Sequence, residues 1–314
     1  MKLYSTSTNP APAGANVIAI TTRDNVNLRL AAWRSPGQVR GTLLLAQGRG
    51  EFIEKYNETI GDMLARGLNI VTFDWRGQGL SDRALRDRRK GHVEAMEDYI
   101  EDLAAVEAWM IAQNCPQPWF ALGHSMGGAL LALRLHTAAS NYSRVVLSAP
   151  MIDLAGLSWP RGARFLARGL DWLGLGRNYV PGGNGSAYFL QPFAGNGLTS
   201  DPQRYAKFTD MARECPDVWT GSPTVHWLDE AFGLMAAFRD IAFPMSISVP
   251  CLIIAAGHDR VVDTEAATRF VSFMNGRNLV VIPGAEHELL IERDELREQF
   301  LAAFDAFIPG SVSG

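Results

Sequence analysis

Cysteine is scarce in this 314-residue chain: Cys115, Cys215 and Cys251 stand far apart with no C-x-x-C pair, which excludes a disulfide framework and a zinc knuckle. Long apolar runs are missing as well. No stretch approaches the ~18 uninterrupted apolar residues of a bilayer span, and the polar start Met1 to Pro12 lacks the apolar core of a secretory leader. A cytoplasmic address is expected. There is no excess of basic charge: 29 Lys and Arg against 33 Asp and Glu leave a net charge of −4, the wrong sign for a dedicated nucleic-acid binder. There is also no H-E-x-x-H and no dense His/Asp/Glu group, and Gly77-Gln78-Gly79 lacks the helix start of a dinucleotide site. Neither a metal nor a cofactor is expected.

What is present is alternation. Short runs rich in Val, Ile, Leu and Phe recur at Asn16 to Thr21, Asn27 to Trp33, Thr42 to Ala46, Asn69 to Phe73, Trp119 to Leu122, Val145 to Ser148, Cys251 to Ala255 and Leu279 to Ile282. Between them lie stretches of helical period, such as Met96, Tyr99, Ile100, Leu103, Val106 and Met110, with Glu97, Asp98, Glu101 and Asp102 on the other face. This order predicts an α/β fold: a mostly parallel sheet with helices on both faces and a hairpin at Arg23-Asp24-Asn25 on its edge. From Met151 to Phe243 the rhythm fails, yet Trp159, Trp172, Trp219 and Trp227 fall there, with a Gly-rich turn at Pro181 to Ser186. So long a stretch is not a simple loop. The expected division is a core of residues 1–150 and 244–314, interrupted by a mostly helical cap, residues 151–243, over the carboxyl edge of the sheet.

The sharpest local signal is Gly123-His124-Ser125-Met126-Gly127, between the strand ending at Leu122 and the helical run Ala129 to Leu135. A strand-to-helix turn tight enough to lift a serine hydroxyl above the sheet crowds the residues two before and two after it, hence the glycines. The same turn sets the Met126 amide at a helix start, where an oxyanion would form. A serine hydroxyl needs a base, and the base needs an orienting carboxylate. Asp259 and His287 each follow an apolar strand at its carboxyl end, so both can converge on Ser125. Asp263, just ahead of Thr264-Glu265-Ala266, reads as a helix cap, His258 follows the earlier strand, and His92, His136 and His226 have no strand-end setting. A second oxyanion donor is expected in Gln47-Gly48-Arg49-Gly50-Glu51, where Gly48 admits the substrate and the Arg49 amide donates.

The Ser…Asp…His order, Gly123 to Gly128, and Phe73-Asp74-Trp75-Arg76-Gly77-Gln78-Gly79-Leu80-Ser81 together resemble the α/β-hydrolase fold, in particular its bacterial lysophospholipase and monoacylglycerol lipase branch. The likeness runs from about Leu43 to Ile308 and takes in Lys90-Gly91-His92-Val93 and Gly221-Ser222-Pro223-Thr224 with Trp227. It implies a serine hydrolase that cleaves carboxylic esters of glycerolipids, lysophospholipid or monoacylglycerol, through an acyl-enzyme. Ser125 would be the nucleophile, His287 the base and then the acid, Asp259 the orienting carboxylate, and the amides of Arg49 and Met126 the oxyanion donors. One departure is visible: the family often has His-Gly where this chain has Gln47-Gly48, a change that a backbone donor survives.

The cap's aromatics would line an acyl tunnel, with Trp159, Trp219 and Trp227 as substrate-binding candidates; alternatively these three, with Phe165 and Trp172, form the cap's own core. Arg161, Arg164 and Arg168, with Phe165, Leu166, Leu170 and Leu173 as an apolar side, suit peripheral contact with an anionic membrane surface, a phosphate headgroup, or plain solvent. Arg83, Arg86, Arg88, Arg89 and Lys90 make a second basic cluster, partly offset by Asp82 and Asp87. Two alternatives remain at this stage: a carboxylesterase or peptidase of the same fold on a non-lipid substrate, and a non-catalytic small-molecule binder on the hydrolase scaffold.

Overall fold

The computed structural model describes residues 1–156 and 160–309. Strands β1 (Asn16–Thr21), β2 (Asn27–Trp33), β3 (Gly41–Ala46), β4 (Leu68–Phe73), β5 (Trp119–His124), β6 (Tyr142–Ser148), β7 (Cys251–Ala256) and β8 (Asn278–Ile282) form one sheet in the order β1-β2-β4-β3-β5-β6-β7-β8. From β4 to β8 every pairing is parallel, while β2 runs antiparallel to both its neighbours. All residues of β3, β4, β5 and β7 are buried, which is why they read as unbroken apolar runs rather than as alternation. β5 continues past the apolar run through Gly123 and His124, carrying the chain straight to Ser125.

Helices α1 (Asn57–Ala65), α2 (Asp98–Ala112), α3 (Met126–Thr137), α8 (Thr264–Ser272) and α9 (Asp294–Phe307) cover the two faces. α1 and α9 are tied together by Arg66–Asp305 at 2.7 Å and by Arg297–Asp62, and α2 lies against α3. One expectation for α2 fails. Asp102 does not sit on a solvent face: it is fully buried, because Arg76 reaches over from the loop after β4 and donates to it from both its backbone N–H (3.0 Å) and Nε (2.7 Å).

The chain leaves the sheet after β6 and returns at β7. Between them lie α4 (Pro160–Leu170), a π-type turn at Asp171–Leu175, a 3-10 turn at Tyr188–Leu190, α5 (Pro202–Glu214), α6 (Val225–Ala237) and the short α7 (Ala242–Ser246). Local chemistry sets the helix starts. Asp201 accepts from the amides of Gln203 and Arg204 with Pro202 in the first turn, and Thr224 accepts from the amide of Trp227. Part of this region has an apolar cluster of its own, in which Phe189, Tyr205, Phe208, Met211 and Trp219 pack with Phe52 apart from the main core.

Candidate active site

Ser125 stands between β5 and α3 with φ +52° and ψ −116°, a conformation that side-chain-bearing residues rarely adopt. Its N–H donates to Ser148 O at 2.9 Å and its carbonyl accepts from Met151 N–H at 3.0 Å, which pins the bend to the end of β6. The flanking glycines are steric requirements. A Cβ on Gly127 would lie 2.3 Å from Ala46 O, and one on Gly123 would lie 2.7 Å from Gly127 O.

The three predicted side chains meet over this bend. His287 Nε2 is 3.0 Å from Ser125 Oγ, and His287 Nδ1 is 2.8 Å from Asp259 Oδ2. Asp259 is itself held, since its Oδ1 accepts from the amides of Val261 (2.8 Å) and Val262 (2.9 Å). Asp263 caps α8 as expected, and His258 is exposed beside Glu286, away from the serine.

Both predicted oxyanion amides are available. Met126 N–H in the first turn of α3 and Arg49 N–H have no acceptor among the described residues. The amides on either side of Arg49 are engaged: Gly48 N–H donates to Glu51 Oε2 at 2.5 Å and Gly50 N–H to Gln78 Oε1 at 2.6 Å. Gln78 also donates from Nε2 to Gly48 O (3.0 Å), and Trp75 Nε1 donates to Gln47 O (2.8 Å). The Gly77-Gln78-Gly79 turn is therefore the frame of the Gln47 to Glu51 loop, a role the sequence reading missed. Gly79 is needed because a Cβ there would fall 2.0 Å from the Asp74 carboxylate, which accepts from Ile53 and Leu80 amides and from Arg29.

Sequence reasoning also missed a buried ionic cluster under the loop. Lys55 Nζ lies 2.6 Å from both Glu51 Oε1 and Glu288 Oε1, Tyr56 Oη donates to Glu51 Oε2 at 2.5 Å, and His124 Nε2 is 3.1 Å from Glu288 Oε2. Burial opposes charge on Lys55 and on His124, yet the carboxylates of Glu288 and Glu51 outweigh it and hold both cations above their ordinary ranges. Burial would raise Glu288, but Lys55 and His124 hold it well below the usual carboxylate range. Glu51, His124 and Glu288 bring ligand atoms close enough to share a metal ion, but the Lys55 ammonium already supplies the positive charge between them. The cluster does not fit a metal.

A cavity of about 420 Å³ opens above Ser125 and His287. Met151, Leu154, Leu228 and Val262 give it an apolar side, and the buried Trp219 and Trp227 line it as well. Trp159 lies outside the described residues. Phe165 and Trp172 belong neither to the cavity wall nor to a cap core: they are 75% and 86% exposed, because α4 and the π-type turn after it both pack on α6 and turn this side outward. The second basic cluster is not an open anion patch. Arg83 donates to Ser81 O and Gly79 O, Arg89 to Trp219 O, and Lys90 to Arg177 O, so these cations staple the loop to itself and to the segment above the sheet.

Comparison with known proteins bears on the fold and the family. A family model described as "Serine aminopeptidase, S33" matches residues 37–294. The chain is similar to lysophospholipase L2 of Escherichia coli (strain K12), at 33% identity over 298 residues that cover 90% of this chain and 84% of that protein. It is also similar to a monoacylglycerol lipase of Mycolicibacterium smegmatis, at 24% identity covering 84% of this chain and 86% of that protein. In fold it resembles a soluble variant of monoglyceride lipase from Saccharomyces cerevisiae, with a TM-score of 0.77 and 18% identity across 99% of this chain and 100% of that one.

Proposed function

As the chain belongs to the serine aminopeptidase S33 family, with the α/β-hydrolase fold, we propose that it cleaves the carboxylic esters of glycerolipids, lysophospholipid or monoacylglycerol, through an acyl-enzyme. The observation that carries this reading is the serine, histidine and aspartate in hydrogen-bond contact at the base of an apolar-sided cavity. Ser125 Oγ attacks the ester carbonyl carbon while its proton passes to His287 Nε2, and Asp259 holds the Nδ1 proton and stabilises the imidazolium. The carbonyl oxygen takes the negative charge and accepts from the amides of Arg49 and Met126. The carbonyl re-forms, the bond to the glycerol oxygen breaks, and His287 gives that oxygen its proton. Water then repeats the sequence on the acyl-Ser125 ester and releases the fatty acid.

The names of the relatives support a lipid ester, and so does the cavity's apolar side. Burying each methylene contributes about 0.8 kcal/mol, so four or five more carbons raise affinity roughly several hundredfold while the chain stays inside. An aminopeptidase needs a free carboxylate for the substrate ammonium, whereas Glu51 and Glu288 at this cavity are both held by Lys55. Residues 151–243 act as the cap, carrying Trp219 and Trp227 over the serine. No helix among the described residues is long and apolar enough to cross a membrane. The exposed Phe165 and Leu166 of α4 and Trp172 and Leu173 of the π-type turn that follows it, with Arg164 and Arg168 on α4, suit peripheral contact with an anionic lipid surface on the cytoplasmic side.

The test is a panel of lysophospholipids, monoacylglycerols and short esters read by mass spectrometry, with fluorophosphonate labelling of Ser125. Turnover of long-chain glycerolipid esters that disappears in Ser125→Ala is the expected result. No adduct on folded protein, or acetyl esters preferred over long chains, would overturn the reading.

A further inference from the structure

The buried Arg29, Arg76 and Arg297 and the half-buried Arg204 are matched with carboxylates. Arg29 is held by Glu54 and Asp74, Arg76 by Asp24 and Asp102, and Arg204 by Glu58 and Asp201. Arg49, half-buried and one of the residues lining the cavity, makes no ion pair among the described residues; its Nη1 donates to Gly221 O at 3.1 Å and its guanidinium lies 5.7 Å from the Trp227 ring, with no other acceptor among the described residues. Two further groups on residues of this wall lack partners among the described residues: Trp219 Nε1 and Thr220 Oγ1, on residues only 4% and 5% exposed, form no hydrogen bond there. They are neighbours of the same loop, since a Cβ on Gly50 would lie 3.1 Å from Thr220 Oγ1. Buried donors are nearly always satisfied, so Trp219 Nε1 and Thr220 Oγ1, together with a half-buried guanidinium that has no carboxylate, point to an acceptor that arrives with the ligand.

We propose that Arg49, Trp219 and Thr220 form a subsite for the phosphodiester of the substrate, which makes the protein select a lysophospholipid over a neutral monoacylglycerol. This rests on the ester-hydrolase reading above. A phosphodiester offers two anionic oxygens that match the parallel donors of a guanidinium, whereas a glycerol hydroxyl offers no charge. The fatty-acid carboxylate is not the group recognised here, because it forms at Ser125, against the Arg49 amide rather than at the end of its side chain. Glycerol sets phosphate a few bonds from the ester carbonyl, and Arg49 spans that separation with its amide at one end and its guanidinium at the other. One residue thus registers ester and headgroup together. The carboxylates nearest the site do not repel the anion, since Lys55 stands between Glu51 and Glu288.

The experiment compares kcat/KM of the full chain on 1-palmitoyl-lysophosphatidylglycerol and on 1-palmitoylglycerol in matched micelles, for the parent, Arg49→Gln, Arg49→Lys and Trp219→Phe. Any loss common to both esters cancels in the ratio. The parent ratio favours the lysophospholipid; Arg49→Gln lowers it about 10- to 100-fold, Arg49→Lys restores part of it, and Trp219→Phe lowers it a few-fold. Glycerol 3-phosphate and inorganic phosphate serve as competitors that carry the anion without the chain. Inhibition of the parent that weakens in Arg49→Gln supports the subsite, and stronger inhibition by glycerol 3-phosphate than by phosphate assigns it to the headgroup; inhibition equal in parent and variant counts against it. A ratio unmoved by Arg49→Gln overturns the subsite and leaves the ester hydrolase standing. A parent that cleaves neither ester and takes no fluorophosphonate overturns both.

Discussion

The floor and the roof of the cavity are built on opposite terms. In the floor, Ser125, His287 and Asp259 meet at 3.0 and 2.8 Å, the loop from Gln47 to Glu51 is framed by Gln78 and Trp75, and Lys55 bridges two carboxylates at 2.6 Å. In the roof, Trp219 Nε1 and Thr220 Oγ1 have no hydrogen-bond partner among the described residues, and Phe165 and Trp172 face outward. Apart from Gln47 Oε1 and the His124 ring nitrogens, which also form no hydrogen bond among the described residues, the floor is a satisfied, buried polar network, and such a network holds one geometry because any displacement leaves a desolvated group unpaired. Unpartnered donors and bare apolar faces do the reverse and become satisfied only when something binds. The contrast assigns bond-breaking to the floor and choice of substrate to the roof, and each change below tests that division.

The largest effect is expected at the centre of the floor. Ser125→Ala lowers kcat/KM on a soluble p-nitrophenyl ester by about four to six orders of magnitude, and Asp259→Asn by about 10⁴-fold through loss of the orienting anion, with circular dichroism and Tm near the parent's. Near-normal turnover in the aspartate variant would redirect the role to another carboxylate. Next comes Lys55→Met, which leaves Glu51 and Glu288 facing each other in a buried site with only His124 to offset them. That costs about 3–5 kcal/mol of stability in urea unfolding, since breaking a buried pair strands an uncompensated charge. A change under about 1 kcal/mol would mean that the cluster is solvated rather than dry.

The same cluster sets a pH dependence. Glu288 is held below its ordinary value of 4.5, so its contribution is complete above 4.5 and disappears as pH falls through the lowered value. His124 is held above its ordinary value of 6.5, so its contribution is complete below 6.5 and disappears as pH rises through the raised value. Tm is therefore expected to peak between these limits and to fall on both sides. His124→Gln should flatten the alkaline side alone; an unchanged alkaline fall would show that His124 does not titrate with folding.

How much of this was legible in the sequence follows from where the interacting partners sit. Buried parallel strands are continuous apolar runs, so the central ones were visible; the antiparallel β1 and β2 were read from the turn between them, and β6 alone begins three residues before its predicted start. The meeting of Ser125, Asp259 and His287 was legible because each follows a strand at one edge of the same sheet. Gln78 and Lys55 were not, because a polar side chain declares nothing about a partner thirty or more residues away; Lys55 and Glu288 are 233 apart. Asp102 was misread for a related reason, as helical periodicity does not reveal that Arg76 will cover an acidic position. For α4 the pattern separated an apolar side from a charged one, but amphipathicity does not say which side is covered.

That last ambiguity sets the smallest expected effect and the cleanest test of the division. Phe165→Ser with Trp172→Ser removes apolar surface that is mostly exposed in the folded protein, so Tm and turnover of a water-soluble ester should stay close to the parent's. Sedimentation with vesicles of mixed phosphatidylglycerol and phosphatidylcholine should fall several-fold, and added salt should weaken binding of the parent, because Arg164 and Arg168 flank the patch. If the double variant instead loses soluble-ester turnover, the outward face of α4 is coupled to the geometry at Ser125, and the separation of roof from floor fails. If it retains both turnover and vesicle binding, the apolar face is not what meets the lipid surface. In either case the wall at Arg49, Trp219 and Thr220 remains to be tested by its own substrate ratio, since those residues line the cavity and not the outward face.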